Sequence, residues 1–114
     1  MTLGQKRREF SFMLAQLILW CVDQGYEVQI EQVKRTQAEA DANAASGAGI
    51  AHSLHIDGLA GDLSIFKDGQ LLASVEDYRP IGEKWESMHA ENAWGGRFSR
   101  PDADHFSRSH NGVR

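Results

Sequence analysis

Two histidines and two aspartates in this chain have the residue types and spacing that metal-assisted hydrolysis requires. His55 and Asp62 stand seven residues apart in the stretch Ser53-Leu54-His55-Ile56-Asp57-Gly58-Leu59-Ala60-Gly61-Asp62-Leu63, and Asp102 precedes His105 by three far downstream. Zinc in a hydrolase takes three nitrogen or oxygen ligands and keeps a fourth position open for water. His55, Asp62 and His105 would satisfy that need and leave a site of net positive charge that acidifies the water. A second carboxylate must then take the proton from that water and pass it to the leaving amine. Asp102, three residues from a ligand, can lie beside the metal without binding it. The same residues also suit a surface loop of solvated polar groups, since a histidine and an aspartate at this separation are common in any chain.

The elements that would position them are legible in the hydrophobic pattern. Thr2 and Gln5 fit a capping box, and Phe10, Met13, Leu14, Leu17, Ile18 and Cys21 recur at helical spacing until Gly25. Leu19 and Trp20 widen the apolar face, which predicts a well-buried helix. Tyr26, Val28 and Ile30 alternate with polar residues as a half-buried strand does. Thr36 and Glu39 form a second capping box opening an alanine-rich helix that stops near Gly47, and the segment 46–50 reads as a flexible loop. A strand is predicted over Ala60 to Phe66, where Asp62 points to one face and a turn at Gly58 brings His55 alongside. Asp68-Gly69 marks a hairpin into Leu71-Leu72. Pro80 is placed to begin a helix carrying Ile81, Trp85 and Met88, with Tyr78, Trp85 and Met88 as core residues. A last short strand is expected at His105-Phe106, next to the one bearing Asp62. This order of helices and antiparallel hairpins predicts an α+β fold in a single domain spanning 1–114.

Composition narrows the function classes. The chain has 114 residues, 41% of them apolar and 25% charged, which is ordinary for a globular domain. Its formal net charge of −4 argues against a nucleic-acid partner, which demands a basic surface. The single cysteine, Cys21, excludes an internal disulfide and a thiolate zinc cluster. The apolar run Phe10 to Val22 follows Lys6, Arg7 and Arg8 but is interrupted by Gln16, lacks a small-residue cleavage site and is too short to span a bilayer. The chain therefore reads as made in the cytoplasm without an export signal and without stable membrane insertion.

The motif Ser-x-His-x-x-Gly-x-Ala-x-Asp, with Asp-x-x-His downstream, resembles the zinc D-Ala-D-Ala carboxypeptidases and L-alanyl-D-glutamate endopeptidases, which include VanY-type enzymes and phage endolysins. The resemblance runs from about Tyr26 to the C-terminal end and takes in Arg35-Thr36, the Trp85 helix, Trp94-Gly95-Gly96-x-Phe98, Asp102 and His105-Phe106. It implies a small antiparallel sheet flanked by helices, of the Hedgehog/DD-peptidase kind. It implies His55, Asp62 and His105 as ligands of Zn2+ and Asp102 as catalytic base. It implies Arg35 as the cation that steadies the developing oxyanion, with Ser53 and Trp94 lining the substrate cleft. Asp104 departs from the pattern, and a carboxylate there is expected to raise the pKa of Asp102.

The function so implied is cleavage of the L-Ala–D-Glu bond in the peptidoglycan stem peptide by a monomeric phage-type endolysin. Such an enzyme would reach the wall through a membrane lesion made by a holin-type partner. The alternatives are a D-Ala-D-Ala carboxypeptidase or dipeptidase on the same scaffold, and a zinc-binding phage structural module without activity.

Overall fold

The computed structural model describes residues 1–33 and 54–114. The predicted helix from Thr36, the loop 46–50, and Arg35 and Ser53 lie outside the described residues. Helix α1 (Leu3–Asp23) opens on the expected capping box, with the Thr2 hydroxyl accepting from the Gln5 N–H and the Gln5 side chain reaching back to Thr2. It closes at Gly25, whose φ of +90° lets Tyr26 N–H reach the Cys21 carbonyl and Gly25 N–H the Val22 carbonyl. Phe10, Met13, Leu14, Leu17 and Cys21 face the core. The outer side of the helix differs from expectation. Leu19 is 65% exposed and Trp20 only half-buried, because the core covers one side of the helix and the opposite side meets solvent.

All strand pairs are antiparallel. β1 (Glu27–Gln32) pairs with β2 (Ala60–Lys67), β2 with β3 (Gln70–Leu71) and β5 (His105–Arg108), and β5 with β4 (Asn92–Trp94). The β2–β3 turn is the predicted Asp68-Gly69 hairpin, with φ of 52° and 77° at its two central residues. Among the described residues β1 is an edge strand, and its Ile30 is exposed rather than half-buried. Along its other edge β2 is shared. β5 occupies residues 60–62 and β3 residues 66–67, and the Tyr78 hydroxyl fills the gap between them. That hydroxyl accepts from Ile65 N–H and donates to the Leu63 carbonyl, so no buried backbone group there is left open.

Helix α3 (Val75–Met88) supplies Tyr78, Ile81, Gly82 and Trp85 to the interior. It begins five residues before Pro80, not at it. Ser74 is the N-cap, its hydroxyl accepting from Asp77 N–H, and Glu76 and Asp77 suit the positive end of the helix. Pro80 is tolerated inside the helix because it lies on the exposed side, where water can serve the Glu76 carbonyl its missing donor would have used. Trp85 locks α3 to the sheet. Its indole N–H is shared by the Ala93 and Ser107 carbonyls, and its ring meets Phe10 and Phe106 edge-on. Met88 is only partly buried against this core. Cys21 sits inside it, where burial pushes the thiol up to about 12, so it behaves as a small apolar residue.

The result is a single α+β domain with a small antiparallel sheet and flanking helices. Among the described residues no helix is long and apolar enough to cross a membrane.

Candidate metal centre

His55 lies on a single helical turn, α2 (Leu54–Asp57), that ends at Gly58 with φ of +72°. Leu59 N–H bonds the Leu54 carbonyl and Gly58 N–H the His55 carbonyl, the pairing that terminates a helix through a left-handed residue. This reversal feeds directly into β2, and Arg7 of α1 clamps it by donating from Nε to the Asp57 carbonyl. The turn returns His55 over Asp62, the third residue of β2, while Asp62 stands opposite His105 in the β2–β5 register. His55 Nε2 is 3.4 Å, and His105 Nδ1 3.5 Å, from Asp62 Oδ1. The three ligand atoms all lie within 4.8 Å of one another. Donors about 2.0–2.1 Å from a tetrahedral zinc would be roughly 3.3–3.4 Å apart, so the two short separations already suit such an ion.

The charges in the cluster carry the same message. The two rings are 3% and 7% exposed. His55 Nδ1 is 2.9 Å from the Val33 carbonyl, which accepts its proton and turns Nε2 toward Asp62. Burial alone would raise the Asp62 carboxyl, but hydrogen bonds and charge from His105 and His55 outweigh it and hold the group down at about 2. Asp62 is therefore an anion with two imidazole nitrogens within 3.5 Å, an arrangement that suits a proton or a cation between them. Two imidazoles and one carboxylate at these separations fit zinc, with the Val33 carbonyl orienting one of the rings.

Asp102 is exposed, and its carboxylate lies within 4.8 Å of those of Asp62 and Asp104. The Asp104 carboxyl is strongly shifted. Burial, then the hydrogen bond and charge of Asp102, then the charge of Asp62, push its carboxyl up to about 7. A cleft of about 310 Å3 opens beside these two carboxylates, lined by Ser64, Leu71, Leu72, Ala73, Tyr78 and residues 101–104.

The Trp94-Gly95-Gly96 segment builds this loop from beneath. Trp94, the expected cleft residue, is 1% exposed. It lies instead between Gly82 and Gly96, where any Cβ would come within 2.1 Å and 2.2 Å of the indole, and its Nε1–H donates to the Ala103 carbonyl at 2.7 Å. Gly95 makes the other close approach. Its carbonyl accepts from Phe98 N–H and Asp102 N–H, and the Asp102 carbonyl accepts from His105 N–H. These bonds fold residues 95–105 into a loop that puts Asp102 and His105 on the same side. Phe98 then packs its ring on His105 at 5.3 Å between centroids.

Arg35 and Ser53 lie outside the described residues. The Val33 carbonyl, Arg7, Tyr78 and Gly82 all position the site, and no local sequence signal marks them. Each acts through a partner far away in the chain.

The sequence matches no protein-family model and none of the curated proteins compared with it. Its fold is similar to the crystal structure of the Serratia marcescens L-Ala D-Glu endopeptidase ChiX, with a TM-score of 0.74 over 93% of this chain and 85% of that chain. The two are 16% identical in sequence, so the likeness is one of fold.

Proposed function

We propose that this protein is a zinc-dependent peptidoglycan peptidase of endolysin type that hydrolyses the L-Ala–D-Glu bond of the stem peptide. The observation that carries the reading is the convergence of His55 Nε2, Asp62 Oδ1 and His105 Nδ1, a donor set that suits a zinc ion, with the exposed Asp102 carboxylate near Asp62. The shared fold with an L-Ala D-Glu endopeptidase supports the choice of substrate.

Zinc held by these three residues would supply Lewis acidity and a water of lowered pKa. The chain's own groups do the rest. Asp102 accepts the proton of the attacking water and returns it to the departing D-Glu amine. His55 is held in one tautomer by the Val33 carbonyl, so its ring need not reorient during turnover. The loop from Gly95 to His105 keeps base and ligand in fixed relation. Arg35 would stabilise negative charge on the carbonyl oxygen, with Ser53 beside the same cleft. Access to the wall would depend on a separate, holin-type partner that breaches the membrane.

Purified protein supplied with zinc and defined muropeptides, followed by mass spectrometry of the products, tests the reading. New L-Ala carboxyl ends with intact D-Ala termini are expected. Release of terminal D-alanine would assign the same chemistry to a carboxypeptidase, and zinc binding without any hydrolysis would leave a structural module.

A further inference from the structure

One cluster beside the metal centre is used by nothing described so far. Residues Phe98, Ser99, Arg100, Val113 and Arg114 line a cleft of about 360 Å3. Phe98 is its floor and also the ring that packs on His105, which places the cleft one aromatic ring away from a metal ligand. Asn111-Gly112, with φ of 50° and 77°, makes a two-residue hairpin turn closed by paired hydrogen bonds between His110 and Val113. Lys6 of α1 holds the turn through His110 Nδ1 at 3.1 Å, and Val113 packs against the core. This built reversal delivers the Arg114 guanidinium over the Phe98 ring, 4.9 Å from its centroid.

The charges near His105 fall into two groups. The carboxylates of Asp62, Asp102 and Asp104 lie within 4.8 Å of one another, and two arginines line the cleft at Phe98. Arg79, Arg97 and Arg108 each pair with glutamates. Among the described residues Arg100 and Arg114 pair with no carboxylate, in a chain whose acids outnumber its bases by 16 to 12. Two guanidiniums without anionic partners, flanking an apolar ring beside a reaction centre, match a planar anion attached to a peptide.

We infer that Arg100 and Arg114 form a carboxylate-recognising subsite that binds the free α-carboxylate of the substrate's D-Glu residue, next to the bond to be cut. The inference rests on the peptidase reading above. D-Glu linked onward through its γ-carboxyl keeps that α-carboxylate free, and the carboxylate is bound to the same carbon as the departing amine. Recognition there would set orientation as well as affinity, with Phe98 offering its face to the adjoining chain.

The test compares two synthetic stem peptides that differ only in this group, one with the α-carboxylate and one with an α-carboxamide. The zinc-loaded wild type should cleave the acid with a kcat/KM about tenfold higher, mostly through KM, as expected for a partly exposed charge-assisted contact. Arg100→Gln/Arg114→Gln should bring the ratio close to one while leaving the unfolding temperature unchanged, and Arg100→Lys/Arg114→Lys should restore part of it. A wild-type ratio of one, or an unaltered ratio in the Gln variant, would overturn the subsite while leaving the peptidase reading intact. Failure of the wild type to cleave either peptide would overturn both.

Discussion

Replacing Gly95 by alanine should separate the positioning of Asp102 from its chemistry. A Cβ on Gly95 would stand 2.0 Å from the Asp102 carbonyl oxygen and 2.8 Å from His105 Cβ. Carbon makes its ordinary contacts at about 3.5 Å, so the Asp102 backbone must retreat by at least about 1 Å. The obstacle is backbone, and no side-chain rotation relieves it. Retreat breaks the bond from Asp102 N–H to the Gly95 carbonyl, at 2.9 Å, and strains that from His105 N–H to the Asp102 carbonyl, at 3.1 Å. A displacement of about 1 Å in a reacting group costs on the order of 100-fold in rate. Overpacking of this kind costs about 1–3 kcal/mol, or about 4–8 °C in Tm per kcal/mol for a domain of this size. The assay is kcat/KM on a defined muropeptide, with thermal unfolding and zinc-induced stabilisation measured on the same preparation. Gly4→Ala is the control, because its Cβ would meet only the Arg8 side chain at 3.5 Å and Thr2 beyond it, within an exposed part of α1. Wild-type activity and Tm in Gly95→Ala would refute the claim that this close approach holds the catalytic loop in place.

Asp102→Asn should keep the zinc-induced rise in Tm and lower kcat by about 100- to 10,000-fold; wild-type turnover would remove Asp102 from the base role. Zinc at 100 times its dissociation constant should stabilise the wild type by about 2.7 kcal/mol, and chelator or His105→Ala should erase that shift in a calorimeter. In metal-free protein, Asp62 has its folded pKa lowered from 3.8 to about 2. Its contribution, about 2 kcal/mol by linkage, is fully present above about pH 4 and lost as pH falls through about 2, so Asp62→Asn should flatten the stability profile over that window. Asp104 has the opposite sign. Its folded pKa is raised to about 7, so it destabilises increasingly as pH rises from about 4 to 7, and metal-free Asp104→Asn should gain Tm at pH 8 but not at pH 4.

Local pattern was enough for several elements. The capping box at Thr2, the stop at Gly25, the β2 strand and the Asp68-Gly69 hairpin depend on short-range hydrogen bonds and on side-chain alternation, and both are written in adjacent residues. Where two local signals competed, the sequence misled. Pro80 looked like the first residue of a helix, but Ser74 offers a side-chain cap and Glu76 and Asp77 follow it, so the helix starts earlier and carries the proline on its wet side. Leu19 looked like a core residue because apolar character was read without knowing that only one face of α1 would be covered. β4 passed unnoticed, since three residues running into a glycine pair carry too little alternation to register.

For the site, the donor types and their order along the chain were determined by sequence alone: two imidazoles, a carboxylate between them, and an acid three residues before the last. Tertiary structure decided everything that turns those types into a centre. The β2–β5 register sets Asp62 opposite His105, and the Gly58 reversal lays His55 over both. The Val33 carbonyl chooses the His55 tautomer. The fold also raised the Asp104 carboxyl through burial and its acidic neighbours, and it packed Trp94 between Gly82 and Gly96 beneath the loop. Those outcomes depend on distances between residues far apart in the chain and on the burial of charge, and neither quantity exists until the sheet has closed.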